Sequence, residues 1–428
     1  MKLYDRNGNL LLDSDSIKVE EQKPIFGTKR RSQWNNKELP VLYVNGDMSE
    51  MSKEVKSKLT YRFVSSTEQF TGFCTMKWQG NSSISWAKHN FTIQFFTDSA
   101  YKIKDGLDMG WGKHDKYVLK SNLNDATMAR NVVSARLWGD IVRTRKNPVF
   151  VDTPNFGAIN GFPIILYLNE EYWGLYDFNI PKDTWMFGVD ASNDDHCVVC
   201  GEYNNDGRET TNTAVLACEF RNATESAVKT GWGIEIPDEY TAVGSSALVS
   251  AIYFVMNATD EQFVAGIDEY IDLESAIDYY IYAYFMLGSD SLARNMILAT
   301  LDGKRWHCSM YDMDNTWGNS VDNTKNSPTT KCPEEYQETN SLLWQRIVAL
   351  FPDKMYKRYL ELRSTVLHTE YCKAVFEKFC GQIPDEEYDR DKVKWNRPKA
   401  GNEIVPDIVS FIEARASYCD TEFEKLNV

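Results

Sequence analysis

Residues 289–318 read SDSLARNMILATLDGKRWHCSMYDMDNTWG, and this stretch organises the second half of the chain. Two short apolar runs, 296–301 and 305–311, lie on either side of Asp302-Gly303. An Asp-Gly pair between two strand-like runs is typical of a type I′ turn, because both central residues of that turn need a positive φ. The stretch therefore predicts a β-hairpin.

The open end of this hairpin is expected to be polar. With a two-residue turn, Asn295 faces Met310, and Asp312 follows on the same side because side chains alternate along a strand. Asp290 lies just upstream and Asp314 just downstream. An acid, an amide five residues later, a hairpin and a second acid are arranged as in a kinase catalytic loop followed by its metal-binding aspartate. Taken alone, a solvated hairpin with acidic ends explains the stretch equally well.

The chemistry of these side chains suits a divalent cation. Mg²⁺ takes oxygen ligands and is usually held by one or two carboxylates together with substrate phosphates. Several acids gathered without a cation would repel one another. We therefore expect Asp290, Asn295, Asp312 and Asp314 to gather around Mg²⁺, and the sequence leaves open whether Asp312 or Asp314 is the main ligand.

Length and composition limit the classes of protein. The 428 residues include 12 Trp, 23 Tyr and 21 Phe, which indicates a large folded core. A net charge of −15 argues against nucleic acid as a partner. No apolar run reaches the length of a membrane span, and the first residues lack the apolar core of a signal peptide. We expect no membrane partner and an intracellular or particle-associated protein.

The nine cysteines are scattered and odd in number, which does not suit a disulfide framework. Cys197 and Cys200 form one CxxC pair, but no second pair at similar spacing follows to complete a zinc site. Reduced, structural cysteines are the interpretation we favour over redox or metal use.

The patterning along the chain predicts an α+β protein in three parts. Residues 1–37 form a small hairpin and linker. Residues 38–182 contain short β-rich runs separated by turn residues and form a β-rich lobe. Residues 183–428 are mainly helical and carry the acidic hairpin. Within this last part, residues 183–240 are rich in Asn, Asp and Gly and are expected to be an insertion of low regularity.

Two clusters in the first half suit phosphate binding. A turn of small residues, Gly80-Asn81-Ser82-Ser83, offers backbone N–H groups, and Lys88 follows it with a positive charge. Arg130 lies one turn into a predicted helix and could clamp a phosphate with two hydrogen bonds. Simple chain reversal and helix capping are the structural alternatives for these clusters.

Five motifs in their order resemble the CotH (spore coat protein H) kinase family. They are GNSS at 80–83 followed by a lysine, NLNDATMARN at 122–131, LYLNEEYWGLY at 166–176, SDSLARN at 289–295 and YDMDNTWG at 311–318. The resemblance covers about residues 39–318. It implies a two-lobed, atypical protein-kinase-like fold that binds ATP with Mg²⁺ or Mn²⁺ and phosphorylates serine or threonine hydroxyls of a protein substrate. The resemblance also implies that the β-rich lobe of residues 38–182 binds the nucleotide.

The same resemblance assigns expected roles to the site residues. Asp290 would be the catalytic acid that positions or deprotonates the acceptor hydroxyl. Lys88 would engage the nucleotide phosphates, together with the turn residues Gly80, Asn81, Ser82 and Ser83 and with Arg130. Asn295 and Asp312 or Asp314 would hold the metals.

The chain departs from the family pattern at three places. Gln79 stands where an arginine is usual, Tyr311 stands where a tryptophan is usual, and no glutamate occurs near Ile180, where one would orient the lysine. The alternative function is therefore a catalytically weakened or inactive CotH-like module with a structural or binding role in a spore coat or phage particle. A carbohydrate-binding protein, suggested by the aromatic and acidic residues, is a weaker third interpretation.

Overall fold

The computed structural model describes most of the chain. It describes the backbone of residues 2–4 and 10–13, and residues 38–80, 82–201, 219–288, 291–292, 295–320, 325–331 and 341–427. Asn81, the side chain of Ser82, and Asp290 lie outside the described residues. At the amino terminus, strands β1 (Lys2–Tyr4) and β2 (Leu10–Asp13) pair antiparallel as a small hairpin.

A closed barrel of seven strands forms most of the first half. Its strands are β3 (Val41–Asn45), β4 (Ser57–Val64), β5 (Gln69–Gln79), β6 (Asn90–Phe96), β9 (Lys116–Lys120), β10 (Gly161–Leu168) and β11 (Glu171–Asn179). They neighbour one another in the order β10-β11-β9-β6-β5-β4-β3, and two short strands, β7 (Leu107–Asp108) and β8 (Lys113–His114), pair separately. The sequence predicted an antiparallel or mixed sheet here. The sheet closes because β3 pairs in parallel with β10.

The inside of the barrel is filled by large apolar side chains. Residues of β4 alternate between buried and exposed, so one face of the strand points into the barrel and the other points outward. Phe95, Tyr117, Phe162 and Phe178 form a cluster of rings inside, with neighbouring centroids 4.6 to 6.4 Å apart. Polar residues of the same strands are therefore left on the outside.

A second sheet lies in the later half of the chain. Its strands are β12 (Cys197–Gly201), β13 (Trp232–Ile236), β14 (Met296–Thr300) and β15 (His307–Met310), in the order β13-β12-β14-β15. The prediction of low regularity for residues 183–240 was therefore wrong for the described part, which supplies two of these strands. Every residue of β12 and β14 is buried, as expected for strands covered on both faces.

The predicted hairpin is present as β14 and β15, but its turn differs from the prediction. The loop spans residues 301–306 because the Asp302 carboxylate accepts hydrogen bonds from the backbone N–H groups of Lys304 and Arg305, at 3.0 and 2.8 Å. This wider loop shifts the register, and Met296 pairs with Met310. Asn295 therefore lies just beyond the last pair instead of opposite Met310.

Eleven helices lie within the described residues. They are α1 (Arg130–Arg143), α2 (Thr184–Phe187), α3 (Glu225–Gly231), α4 (Ala242–Asn257), α5 (Asp260–Gly266), α6 (Leu273–Met286), α7 (Leu342–Leu350), α8 (Pro352–Arg363), α9 (Thr369–Cys380), α10 (Asp385–Lys394) and α11 (Val405–Glu424). The protein is thus α+β. No helix in these ranges combines the length and the apolar composition that crossing a bilayer requires.

Helix α6 is the centre of the helical half. Asp272 caps its start by accepting a 2.6 Å hydrogen bond from the backbone N–H of Ser275, as its sequence predicts. The helix is buried on all sides because α1, α8, α11 and strand β15 contact it. The chain that leaves α6 leads directly to the acidic hairpin, so this helix holds the hairpin in place.

Candidate active site

A polar cleft of about 330 Å³ lies between the outside of the barrel and the second sheet. Strands β5, β6 and β9 form one wall, and Pro181, Lys182, Glu235 of β13 and Tyr311 form the other side. The barrel wall consists of Lys56, Thr75, Met76, Lys77, Gln79, Thr92, Gln94, Lys116 and Val118. Four lysines line this space in a protein of net charge −15, which suits an anionic ligand.

Two polar atoms in the cleft wall are buried without a hydrogen-bond partner among the described residues. They are Oγ1 of Thr75 and Oε1 of Gln79. Both side chains lie on the outer face of β5, since the alternate residues Cys74 and Met76 are buried in the barrel. Buried polar atoms are normally hydrogen-bonded, so these two orphan atoms also suit a polar ligand in the cleft.

Lys120 brings a positive charge to the acidic end of the hairpin. It shares the outer face of β9 with Lys116 and Val118, and its Nζ lies 3.4 Å from Oδ1 of Asp312. Burial alone would lower the pKa of Lys120, but the nearby carboxylates of Asp312 and Asp314 outweigh burial and raise it above its ordinary value. Lys120 is therefore a stable cation beside both predicted metal-binding aspartates.

The predicted metal ligands lie at one end of the second sheet. Asp312 and Asp314 follow β15 and are half-buried, and Asn295 directly precedes β14. Asn295 and Asp312 both have a positive φ, +60° and +54°, which Asn and Asp tolerate better than most residues. The backbone N–H of Asn295 donates to the carbonyl of Gly201 at 3.1 Å, which fixes this end of β14.

This donor set fits a divalent cation that also binds a substrate. Two half-buried carboxylates and an amide match sites that leave several positions for phosphate oxygens and water. The described residues contain no group of three Asp, Glu, His or Cys side chains that could form a cage made of protein ligands alone. The Asp312 side chain is 35 % exposed, so its carboxylate is accessible to solvent.

The motif at 122–131 contacts the loop that carries Asp312 and Asp314, which we call the aspartate loop. Arg130 is buried, pairs with Oδ1 of Asp125 at 2.5 Å, and donates from Nε to the carbonyl of Thr316 at 3.0 Å. The Asn131 side-chain oxygen accepts a 3.3 Å hydrogen bond from the backbone N–H of Met313. The structure thus places Arg130 in contact with the loop that carries Asp314, and not among the residues that line the cleft.

Lys88 is fully buried, and its ammonium group has two protein partners. Its Nζ lies 2.8 Å from Oδ1 of Asp391 and 2.7 Å from the carbonyl of Leu175. Asp391, on helix α10, also pairs with Nε of Arg397 at 2.9 Å. Gly174 permits this approach, since a Cβ at its φ of +130° would lie 2.5 Å from the Asp391 carboxylate. Neither Lys88 nor Lys120 lines the cleft itself, but Lys120 lies 5.6 Å from the ring of Tyr311, which does.

The buried network explains two pKa shifts. Burial lowers the pKa of Lys88 to about 8, although the Asp391 carboxylate opposes this shift. Burial would raise the pKa of Asp391, but the charges of Lys88 and Arg397 outweigh it and hold that pKa below its ordinary value. Asp391 is therefore the carboxylate that pairs with Lys88 in this structure, and it comes from helix α10 and not from the strand that ends near Ile180.

The small-residue turn is tied to the barrel. Gly80 has a φ of +116°, and residues Ser82–Ser85 form a 3₁₀ turn. Ser83 Oγ accepts a 3.2 Å hydrogen bond from Nδ2 of Asn90. Asn90 Oδ1 accepts in turn from both the backbone N–H and the hydroxyl of Ser121, at 2.7 and 2.9 Å.

Sequence reasoning missed Lys120 and Asp391. Lys120 closes the run KYVLK, whose alternation predicts a strand but does not show which partner its outer face meets. Asp391 lies 303 residues after Lys88. A lone aspartate in the charged run YDRDKVKW at 388–395 carries no local signal of a buried ion pair.

Comparison with known protein families shows which family the chain belongs to. The model of the CotH kinase protein family matches residues 76–419. The chain belongs to the CotH kinase family. No curated protein matches it. The family match begins on β5 and ends in α11, later at both ends than the 39–318 expected from the motifs, so the CotH kinase region includes Asp391 and Arg397 as well as the acidic hairpin.

Cys197 and Cys200 of the CVVC pair form no disulfide. Both are buried on β12, and the other described cysteines are also buried and form no disulfide. Burial raises the pKa of the Cys197 thiol to about 12. A protonated, buried thiol is unreactive, which agrees with the structural interpretation.

Proposed function

We propose that this chain binds ATP with Mg²⁺ or Mn²⁺ on the Tyr311 side of the lysine-lined cleft, with its phosphates near Lys120 and Lys182, and transfers the terminal phosphoryl group to a serine or threonine hydroxyl of a protein. The observation that carries this proposal is the 3.4 Å approach of Lys120 to Asp312, next to Tyr311, which lines the cleft. We also propose that the barrel and the helical half act as the two lobes of an atypical kinase, with residues 179–182 as their connection.

The chain's own residues divide the task between charge and positioning. Lys120 and Lys182 lie 5.6 and 4.4 Å from the Tyr311 ring and supply positive charge to the phosphates. Asp312, Asp314 and Asn295 would hold the divalent metal, which neutralises phosphate charge when bound. Asp290 stays the predicted acid for the acceptor hydroxyl and lies outside the described residues.

Lys88 and Arg130 act on the site through other residues in this proposal. Lys88 fixes β11 through Asp391 and the Leu175 carbonyl, and Arg130 fixes the aspartate loop through the Thr316 carbonyl. Both are positioning residues, and Lys120 is the lysine that meets the phosphates.

A binding module without catalysis is the second candidate. It is favoured by Gln79, whose neutral side chain lines the cleft with an unpartnered oxygen where an arginine would add a charge. Such a CotH-like module would keep the fold within a spore coat or phage particle.

The deciding experiment is incubation with labelled ATP, Mn²⁺ and a mixture of candidate acceptor proteins, with Asp290→Ala alongside. Kinase function predicts label transfer by the native chain, none by the variant, and equal stabilisation of both by ATP with Mn²⁺ in thermal unfolding. ATP binding without transfer would favour the binding module, and no ATP binding would refute the proposal.

A further inference from the structure

The outer end of the cleft carries lysines that face one another. Lys56 directly precedes β4, and since Ser57 pairs with Met76, Lys56 lies opposite Lys77 on the neighbouring strand. Thr75 is two residues from Lys77 on the same face of β5. These three residues, Lys56, Thr75 and Lys77, form what we call the outer subsite.

The outer subsite lacks a counter-charge. Among the described residues, neither the Lys56 nor the Lys77 side chain forms an ion pair, a hydrogen bond or a ring contact. Like charges directly opposite each other on paired strands repel. Lys58, on the same outer face of β4, lies 5.3 Å from the Tyr101 ring and not beside a carboxylate. An anionic ligand would relieve this repulsion.

The Thr75 hydroxyl points to the same kind of ligand. Thr75 is 7 % exposed and lines the cleft, and its Oγ1 has no hydrogen-bond partner among the described residues. A hydroxyl can donate to a carboxylate oxygen, and a charged acceptor makes the stronger bond. A buried hydroxyl that has no partner among the described residues and lies two residues from Lys77 on the same face is thus completed by a carboxylate.

We propose that the outer subsite binds acidic side chains of the protein that accepts the phosphoryl group. This inference rests on the proposed function, which places the nucleotide phosphates at Lys120 and Asp312. The base of ATP is uncharged and gains nothing from a lysine pair. Lys56 is exposed at the rim of the cleft, where a segment of a second protein can reach it.

The sheet geometry sets the spacing within the acceptor. Lys77, on β5, lies two strands away from β9, and Lys56, next to β4, lies three strands away. Along the strand direction, both are level with Val118 of β9, which is two residues before Lys120. With strands about 4.8 Å apart and about 3.4 Å per residue, these positions are roughly 12 and 16 Å from Lys120. An extended segment covers that distance in about three to five residues. The preferred acceptor therefore carries Asp or Glu three to five residues from its serine.

The experiment measures peptide binding without phosphoryl transfer. A fluorescent 12-residue peptide with one serine and glutamates three to five residues from it is titrated by anisotropy, and a matched peptide carries glutamine instead. Lys56→Ala/Lys77→Ala should bind the glutamate peptide at least tenfold more weakly than the native chain, and Thr75→Val about threefold more weakly. Both should bind the glutamine peptide like the native chain.

A matched control removes the same charge elsewhere. Lys357→Ala/Lys378→Ala removes two exposed lysines from α8 and α9 and should stay within twofold of the native chain. Unchanged stabilisation of Lys56→Ala/Lys77→Ala by ATP with Mn²⁺ would show that the nucleotide site is intact and support the assignment.

Three results would overturn the inference. The first is native-like binding of the glutamate peptide by Lys56→Ala/Lys77→Ala. The second is loss of ATP stabilisation in that variant, which would assign the lysines to the nucleotide. The third is equally tight binding of a single-stranded oligonucleotide at the same lysines. The chain could bind the peptide through these lysines and still never transfer phosphate. That result would support the outer subsite and refute the kinase function, so the experiment distinguishes failure of one proposal from failure of the other.

Discussion

Lys88 and Lys120 offer a pair of matched substitutions that separates a positioning lysine from a phosphate-binding lysine. We expect Lys88→Met to lower the free energy of unfolding and to leave ATP binding by the folded fraction nearly unchanged. We expect Lys120→Met to have the opposite profile. The reason is their location, because Lys88 is fully buried in an ion network and Lys120 lies beside the partly exposed Asp312 and near the Tyr311 ring at the cleft.

The magnitudes follow from the contacts that each change removes. Truncating one partner of a buried ion pair costs about 3–5 kcal/mol when the other charge is left alone. After Lys88→Met, Asp391 keeps Arg397 at 2.9 Å and the backbone N–H of Leu175 at 2.9 Å. The expected cost is therefore nearer ~2–3 kcal/mol. The Lys120 pair is 3.4 Å long with a partly exposed partner, so its loss should cost under ~1 kcal/mol.

Two measurements check this prediction. Urea unfolding at pH 7 gives the free energy of unfolding of each variant, and titration with ATP and Mn²⁺ below the unfolding transition gives the affinity. Lys120→Met should lose at least about tenfold in affinity, equivalent to ~1.4 kcal/mol. A Lys88→Met variant as stable as the native chain but unable to bind ATP would refute the reasoning and restore Lys88 to the phosphates.

Four further substitutions test single contacts. Asp391→Asn should destabilise more than Lys88→Met in urea unfolding, by about 3–5 kcal/mol, because it leaves two buried cations without an anion; an equal or smaller loss would contradict this. Glu235→Gln should tighten ATP binding about fivefold by titration, or ~1 kcal/mol, because its carboxylate now pairs with Lys182 inside the cleft; unchanged affinity would exclude that role. Burial holds the pKa of Asp177 well above its ordinary value, so the stability that its carboxyl group contributes is lost as pH rises through the folded-state pKa. Asp177→Asn should therefore raise the melting temperature at pH 8 and not at pH 4. A melting temperature raised at pH 4 and not at pH 8 would contradict this prediction. Asp312→Ala should remove the Mn²⁺ dependence of ATP stabilisation while changing unfolding by less than ~1 kcal/mol, and a retained Mn²⁺ effect would assign the metal to Asp314 and Asn295 alone.

Local elements of this protein follow from its sequence. The Asp272 cap and the apolar face behind it predict α6, and the two apolar runs around Asp302-Gly303 predict the hairpin of β14 and β15. The same holds for β10 and β11 around a short polar turn. These elements depend on residues close together in the chain, whose capping bonds, turn preferences and side-chain alternation are readable without any partner.

Features that depend on distant partners are not readable in this way. The parallel pairing of β3 with β10 closes the barrel, and β12 joins the second sheet from a segment that looks irregular. The hairpin register also escaped prediction, since the Asp302 side chain widens the loop through hydrogen bonds that a turn preference does not describe.

The candidate site shows the same division. The motifs alone indicated the family and predicted that acids and an amide collect at the end of one hairpin. Which lysine meets those acids was decided by the fold, because closure of the barrel turns Lys120 outward toward Asp312 while Lys88 is enclosed with an aspartate 303 residues away. A lysine has the same side chain in both places, and only the carboxylates and the solvent around it determine whether it holds the fold together or faces a ligand.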